Sequence, residues 1–128
     1  MKKSNSIKKN AGIVNKFLKK ELHGNPKQLY DAASHLILHG GKRLRPFLVL
    51  KSCQMLGGRQ SDAMAAASAV EMIHNFTLVH DDIMDNDEMR HGVPTTHKKF
   101  DMPLAILAGD VLYSKAYHTI SSKSKLPS

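Results

Sequence analysis

The stretch "DAMAAASAVEMIHNFTLVHDDIMD", residues 62–85, decides the fold class of this chain. No glycine or proline interrupts it, and its alanines and methionines are typical of a long, mostly buried helix. Ser61 is predicted to cap the N-terminus of this helix, with Asp62 in its first turn. The helix is predicted to end where a loop begins, near Asn86.

Four shorter helices are predicted around this long one, so the chain is expected to be all-α. Its 128 residues fit one domain or part of one. The helices have buried faces but few partners, and the last residues, "SSKSKLPS", are expected to lead into a further element. The predicted segments are helices from about Ser6 to Leu22, Lys27 to His39, Pro46 to Gly57 and Leu104 to Ser121, and a loop from Asn86 to Pro103.

The net charge of +8 is distributed unevenly along the chain. Residues 1–60 carry 13 Lys or Arg against 2 acids, whereas residues 61–128 carry 6 against 9. If these two regions fold against each other, they form a place that holds both cations and phosphates. A basic surface for nucleic acid is the alternative explanation of the charge.

The cysteine content and the hydropathy predict a cytoplasmic protein without a membrane span. Cys53 is the only cysteine, so no intramolecular disulfide is expected and no oxidising compartment is needed. The N-terminal lysines precede no apolar segment of the kind found in signal peptides. No run of about 18 apolar residues occurs either.

An acidic cluster ends the long helix. At 100° and 1.5 Å per residue, Asp81 and Asp85 stack one turn apart and Asp82 flanks them, so three carboxylates are predicted to converge on one patch. Acidic side chains at a helix C-terminus are unfavourable by about 0.3–1 kcal/mol each. A bound cation would offset this cost, and oxygen ligands in an open site favour Mg²⁺ completed by a phosphorylated ligand. His74 lies on the same helix face.

A basic segment, "GGKRLRP" at residues 40–46, lies upstream. Its two glycines are expected to expose the backbone at a helix boundary. Lys42, Arg43 and Arg45 follow at once, so backbone N–H groups, an ammonium and two guanidinium groups are predicted to converge on an anion. The spacing does not match a Walker motif.

Together these segments resemble a known family. "GGKRLRP", then "HDDIMDNDEMRHG" at residues 80–92 and "LAGDVLY" at residues 107–113 are similar to the trans-isoprenyl diphosphate synthases, the head-to-tail polyprenyl synthetases. The similarity extends from about residue 27 onward. It implies that residues 1–128 are the N-terminal helices of one isoprenoid synthase helical bundle. The family's second aspartate-rich motif and its Lys-Thr pair are absent, so this portion is expected to be inactive alone.

The resemblance implies a magnesium-dependent condensation of isopentenyl diphosphate with an allylic diphosphate. Asp81, Asp82 and Asp85 match the family's metal ligands, and Mg²⁺ makes the allylic diphosphate a better leaving group. Arg90 matches a residue that contacts the allylic diphosphate. His91 stands where the family usually has a second arginine, and an imidazole is charged only part of the time near neutral pH.

The resemblance also assigns a second substrate pocket and a determinant of product length. Lys42, Arg45 and His74 match the pocket for isopentenyl diphosphate. Phe76 followed by the smaller Thr77, upstream of the aspartates, is similar to the archaeal type of geranylgeranyl diphosphate synthase. Dimethylallyl, geranyl and farnesyl diphosphate are the expected allylic substrates, and the full-length enzyme is expected to be a homodimer.

Two other functions explain less of the sequence. A metal-dependent phosphohydrolase could use His74, His91 and His97 together with the aspartates, but it leaves "GGKRLRP" unexplained. A nucleic-acid-binding domain would suit the sequence pI near 9.7, but the aspartates would repel phosphates. We therefore expect no nucleic-acid partner.

Overall fold

The computed structural model describes residues 2–123, with side chains described from residue 5 onward. The regular secondary structure of the described residues is helical apart from one short hairpin, so the expected all-α class is confirmed. Residues 124–128 of the C-terminal stretch lie outside the described residues. The elements are α1 (Lys2–Glu21), α2 (Lys27–Ser34), α3 (Leu44–Met55), α4 (Gln60–Met84), β1 (Met89–Arg90), β2 (Val93–Pro94), α5 (Thr96–Lys99) and α6 (Met102–Lys123).

Several predicted helix ends differ from the structure. α1 begins at Lys2 rather than Ser6, and α3 begins at Leu44 rather than Pro46. α2 ends at Ser34 and continues as irregular turns to residue 39. α4 is capped by Arg59 rather than Ser61, because the Asp62 carboxylate accepts the backbone N–H of Arg59 at 3.0 Å. α6 continues through Lys123, so the predicted end at Ser121 was too early.

The long helix α4 forms the centre of the bundle and packs on α6 and α3. Its buried face consists largely of alanines and methionines, whose small or flexible side chains let neighbouring helices approach closely. Gly109 of α6 lies against the His80 imidazole, since a Cβ built there would be 2.4 Å from His80 Nε2. The largest buried apolar side chains are Val14, Leu18, Leu36, Ile37, Leu50, Met72, Val79 and Leu112.

The segment between α4 and α6 was predicted as a loop, but it contains the hairpin and α5. The hairpin pairs Arg90 with Val93, and its two turn residues, His91 and Gly92, have φ of 53° and 76°. Positive φ at both central residues is the geometry of a type I′ turn, which suits the twist of paired strands. The turn places Arg90 and His91 at the hairpin tip.

One contact attaches this hairpin to the end of α2, and another closes its base. His35 Nε2 lies 2.7 Å from the carbonyl of Pro94, and the Thr95 hydroxyl donates to the carbonyl of Asp87 at 2.9 Å. The hairpin is therefore fixed against the end of α2. Between residues 2 and 123, no helix combines the length and the apolar character needed to cross a bilayer.

Candidate functional site

The basic loop, residues 40–43, lines a small cleft together with the first turn of α3, the helix α4 and the hairpin. The cleft has a volume of about 90 Å³, and Lys42, Arg45, His74 and His91 all line it. Arg45 Nη1 lies 3.2 Å from His74 Nε2. The structure thus brings the four predicted anion-binding side chains to one place, although they come from three separate segments.

His74 faces this cleft as a neutral imidazole. Burial lowers its pKa, and the positive charge of Arg45 lowers that pKa further. Because a guanidinium can only donate, Nε2 of His74 must accept the hydrogen bond from Arg45, which leaves the proton on Nδ1. His74 can therefore accept a hydrogen bond at Nε2 and donate one from Nδ1.

Arg43 also lines this cleft, but its guanidinium is held by buried partners, which corrects the prediction that three basic side chains converge on an anion. Its guanidinium is buried and donates to the Glu71 carboxylate at 3.0 Å. Glu71 and Asn75 also line the cleft and were missed from the sequence. The available signal was helical spacing on α4, since Glu71 lies three residues before His74 and Asn75 lies four residues after Glu71.

The two glycines of the basic loop each leave room for one side chain. A Cβ at Gly40 would be 2.6 Å from the His91 ring, and one at Gly41 would be 2.9 Å from Arg43 Nη1. Gly41 also has φ of +94°, which side chains with a Cβ rarely adopt. The lack of a side chain at these glycines therefore leaves room for His91 and Arg43. The sequence had suggested a different role for them, which was to expose the backbone.

Replacing Gly41 with Ala is expected to lower the free energy of unfolding by about 1–2 kcal/mol or more, from the positive φ and the contact with Arg43. Gly12→Ala is the matched control, because Gly12 lies within α1 with open space around it. That substitution should raise stability by up to about 1 kcal/mol. Urea unfolding of both variants measures the difference, and equal effects would contradict the role assigned to Gly41.

The three aspartates at the end of α4 do not converge. Asp81 and Asp85 are exposed and one turn apart, with the Asp85 N–H donating to the Asp81 carbonyl at 2.8 Å. Asp82 is buried, and both of its oxygens accept hydrogen bonds from Arg90 at 2.8–3.0 Å. The prediction of a three-carboxylate patch was therefore wrong for Asp82. Its side chain lies 100° round the helix from that of Asp81 and points inward to the guanidinium of Arg90.

Asp81 and Asp85 keep the chemistry that a magnesium ion requires. Both are hard oxygen donors, and Mg²⁺ is commonly held by one or two carboxylates plus waters and phosphates. Across residues 5–123, no three His, Cys, Asp or Glu side chains form a group able to enclose a metal. The donor set therefore fits an open magnesium site and does not fit the cluster of His74, His91, His97 and aspartates that a phosphohydrolase would use.

The hairpin tip links the aspartates to the cleft. Arg90 contacts Asp82, while His91 packs on Gly40. The positive charge of Arg90 also contributes to the lowered pKa of His74. The hydrogen bonds that Arg90 donates to Asp82 raise the pKa of the guanidinium and keep it charged.

Phe76 lies one and a half turns before Asp81, in an aromatic cluster between α4 and α6. Its ring centroid is 4.7 Å from that of His80 and 5.3 Å from that of Tyr113. Tyr113 in turn lies 5.0 Å from Tyr117. Thr77 is exposed, and its hydroxyl donates to the His74 carbonyl. The bulky Phe76 and the small Thr77 therefore face different surroundings.

The free energy of unfolding is expected to fall as the pH drops below about 6.5. Burial lowers the pKa of His35 and of His74, so the unfolded chain takes up these protons at a higher pH than the folded chain. Stability is then complete above the unfolded pKa and is lost as the pH falls through the folded values. Urea unfolding at about pH 7.5 and about pH 5 measures this loss.

His35→Gln is the control for this pH dependence. Its side-chain amide can still donate to the Pro94 carbonyl but does not titrate in this range. The pH dependence of unfolding should therefore become shallower, with stability near pH 7.5 little changed. An unchanged slope in the variant would contradict the assignment to His35.

Comparisons with known proteins agree on one family. A sequence model described as polyprenyl synthetase matches residues 26–127. Geranylgeranyl pyrophosphate synthase from Geoglobus acetivorans is 50% identical over 125 residues, which are 97% of this chain and 39% of that protein. Geranylgeranyl diphosphate synthase from Sulfolobus acidocaldarius is 47% identical over 116 residues, 90% of this chain and 35% of that protein.

Solved structures give the same result for the fold. The geranylgeranyl pyrophosphate synthetase structure from Pyrococcus horikoshii superposes with a TM-score of 0.92 at 44% identity, covering 97% of this chain and 38% of that one. The synthetase structure from Geoglobus acetivorans superposes with a TM-score of 0.90 at 51% identity, covering 94% and 40%. The chain thus spans somewhat more than a third of the length of these relatives.

Proposed function

The chain belongs to the polyprenyl synthetase family, and on that premise we propose that it supplies the first diphosphate-binding half of a prenyltransferase. The proposed reaction joins isopentenyl diphosphate to an allylic diphosphate, with release of pyrophosphate and a proton. Each condensation adds one isoprene unit, from dimethylallyl through geranyl and farnesyl to geranylgeranyl diphosphate. One observation carries this proposal: Lys42, Arg45, His74 and His91 line one cleft. Asp81 and Asp85 of the same helix remain exposed.

In this proposal the cleft binds isopentenyl diphosphate. Lys42 offers a compact ammonium and Arg45 a planar guanidinium, which together neutralise a diphosphate. His74 accepts from Arg45 and can donate from Nδ1, and His91 adds a second imidazole at the rim. His91 stands where the family usually has an arginine, and its imidazole offers one hydrogen-bond donor where a guanidinium would offer several.

The allylic diphosphate is proposed to bind beside Asp81 and Asp85. Mg²⁺ held by these two carboxylates would stabilise the negative charge that develops on the leaving diphosphate. Arg90 uses Nε and Nη2 on Asp82, which leaves Nη1 for the diphosphate. Asp82 acts in this arrangement by holding Arg90.

The test is incorporation of labelled isopentenyl diphosphate into farnesyl diphosphate with Mg²⁺ present. It is run with this chain alone, and with a separately expressed C-terminal portion of the Geoglobus acetivorans relative. Product is expected only from the mixture, because the chain matches less than half of its relatives. Turnover by the chain alone would contradict the proposed need for a complement. No product from the mixture and no pyrophosphate binding by the chain would contradict the proposed function.

Replacing Phe76 with Ala is expected to lengthen the product of the mixture by at least one isoprene unit. Phe76 packs on His80 and Tyr113, so its removal opens space along α4 on the side from which a growing chain would approach the aspartates. Phe76→Tyr keeps the ring and should leave the product unchanged. Chromatography of the dephosphorylated products measures the length, and an unchanged product from Phe76→Ala would contradict this role.

Three further predictions accompany this proposal. The full-length enzyme is a homodimer, it is cytoplasmic, and it binds no nucleic acid.

A further inference from the structure

A buried ion pair forms part of the wall of the cleft. Arg43 Nη1 and Glu71 Oε1 are 3.0 Å apart, with side-chain exposures of 4% and 5%. Removing two charges from water is costly, and apolar replacements of such pairs are often neutral or stabilising. Arg43 also has φ of 56°, which is unfavourable for a residue with a Cβ. Stability alone therefore gives a weak reason for this pair.

The guanidinium of Arg43 ties together three elements that surround the basic loop. Nε donates to Asn15 Oδ1 of α1 at 2.7 Å, and Nη1 donates to the Gly40 carbonyl at 2.9 Å. Nη2 donates to the carbonyl of Ile37, just after α2. With the bond to Glu71 of α4, these contacts fix the loop relative to α1, the turn after α2, and α4.

Glu71 is itself held in place. Asn75 Nδ2 donates to the Glu71 carbonyl at 2.9 Å and to its Oε1 at 3.3 Å. The carboxylate therefore has two donors that restrain its rotamer. Because Glu71 lies one turn before His74 on α4, the point at which it holds the loop has a fixed position relative to the imidazole in the cleft.

The inward direction of Arg43 determines where its neighbours point. Lys42 and Arg45 are exposed, while Arg43 between them is buried. If Arg43 were released, the loop could rotate about its positive-φ residues, and neither Lys42 nor the first turn of α3, which carries Arg45, would be held towards the cleft. The hydrogen bonds of the buried Arg43 side chain thus influence the direction of the exposed side chains of Lys42 and Arg45.

We propose that the Arg43–Glu71 pair positions Lys42 and Arg45 for diphosphate binding, so both members are positioning residues of the cleft. This inference rests on the proposed function of that cleft. A pair that serves only to stabilise the fold would affect diphosphate affinity no more than any other buried pair does.

The test uses the full chain, with inorganic pyrophosphate as the probe and isothermal titration calorimetry as the measurement. The double variant Arg43→Met with Glu71→Leu removes one positive and one negative charge, so the net charge near the cleft is unchanged. It is expected to keep its helical circular dichroism and a cooperative thermal transition, while its Kd for pyrophosphate weakens at least tenfold. Glu71→Gln carries the same test if the double variant does not fold, with a several-fold loss expected.

Arg43→Lys provides a graded comparison. An ammonium can pair with Glu71 but cannot reach Asn15 and the carbonyls of residues 37 and 40 together. Its affinity for pyrophosphate should therefore lie between those of the wild type and the double variant. An affinity below that of the double variant would overturn the proposal, since the ion pair would then not be what holds the loop.

Glu21→Gln is the matched control for a purely structural effect. Glu21 is also buried and pairs with Lys123, but it joins α1 to α6 away from the cleft. This variant is expected to lose stability and keep the wild-type affinity for pyrophosphate. Equal affinities of the wild type and the folded double variant would overturn the positioning role alone. No difference in pyrophosphate binding between the wild type and Lys42→Ala would overturn the diphosphate site and the positioning role together.

Discussion

Replacing Asp81 with Asn is expected to reduce prenyl transfer on the order of a thousandfold, when the chain is combined with the C-terminal portion of a relative. The amide keeps the shape of the side chain but removes the charge that would hold Mg²⁺ at the allylic diphosphate. Asp85→Asn should have a similar effect, because both carboxylates are exposed on one turn of α4. Initial rates over a range of Mg²⁺ concentrations measure the loss.

Asp31→Asn is the control for this experiment. Asp31 is an aspartate of α2 that pairs with Lys27 at the surface, and its loss should leave the rate near that of the unmodified chain. The Mg²⁺ dependence adds a second criterion, since weaker metal binding should move the half-maximal Mg²⁺ concentration upward. Rates within a few-fold of the unmodified chain for both Asp81→Asn and Asp85→Asn would exclude these aspartates as the metal ligands.

Replacing Arg90 with Ala is expected to lower the free energy of unfolding by about 3 kcal/mol. The cost arises at Asp82, which is 1% exposed and would keep a buried charge with no cation beside it. About a quarter of the Arg90 side chain is exposed (27%), so water can enter and the lower end of the range for broken buried pairs applies. Urea unfolding near neutral pH measures the change.

Lys27→Ala is the matched control for Arg90→Ala. Lys27 and Asp31 are also 2.8 Å apart, but their side chains are 84% and 50% exposed. Surface pairs of this kind contribute little because water and salt screen them, so no measurable change is expected. If the two variants lost stability equally, burial would not be the reason for the strength of the Arg90–Asp82 pair.

The Arg90 variant also separates two roles of Asp82. If Asp82 acts through Arg90, then Asp82→Asn and Arg90→Ala should impair prenyl transfer to a similar degree, and the double variant should be little worse than either one. Independent roles would instead make the two losses multiply. A double-variant loss equal to the product of the single losses would restore Asp82 as a separate participant.

The helices and the location of the site were determined by the sequence alone. The uninterrupted segment of α4 and the breaks at glycine and proline are local properties, which act within a few residues of where they occur. Lys42, Arg45 and His74 were also predicted together, and the structure places them round one cleft. Helical spacing put His74 on the aspartate face, but its grouping with Lys42 and Arg45 came from the resemblance of the motifs to the family.

Which charges face solvent was decided only by the tertiary structure. Arg43 and Lys42 are adjacent and both basic, yet one is buried because Glu71 lies beside it from 28 residues away. Asp82 and Asp81 are likewise adjacent, and Asp82 turns inward because the hairpin brings Arg90 to it. Helix periodicity gives the direction of a side chain about its own axis, but the partner it meets depends on how distant segments pack. A buried charge requires such a partner, so the division between binding and structural charges arises only when the chain folds.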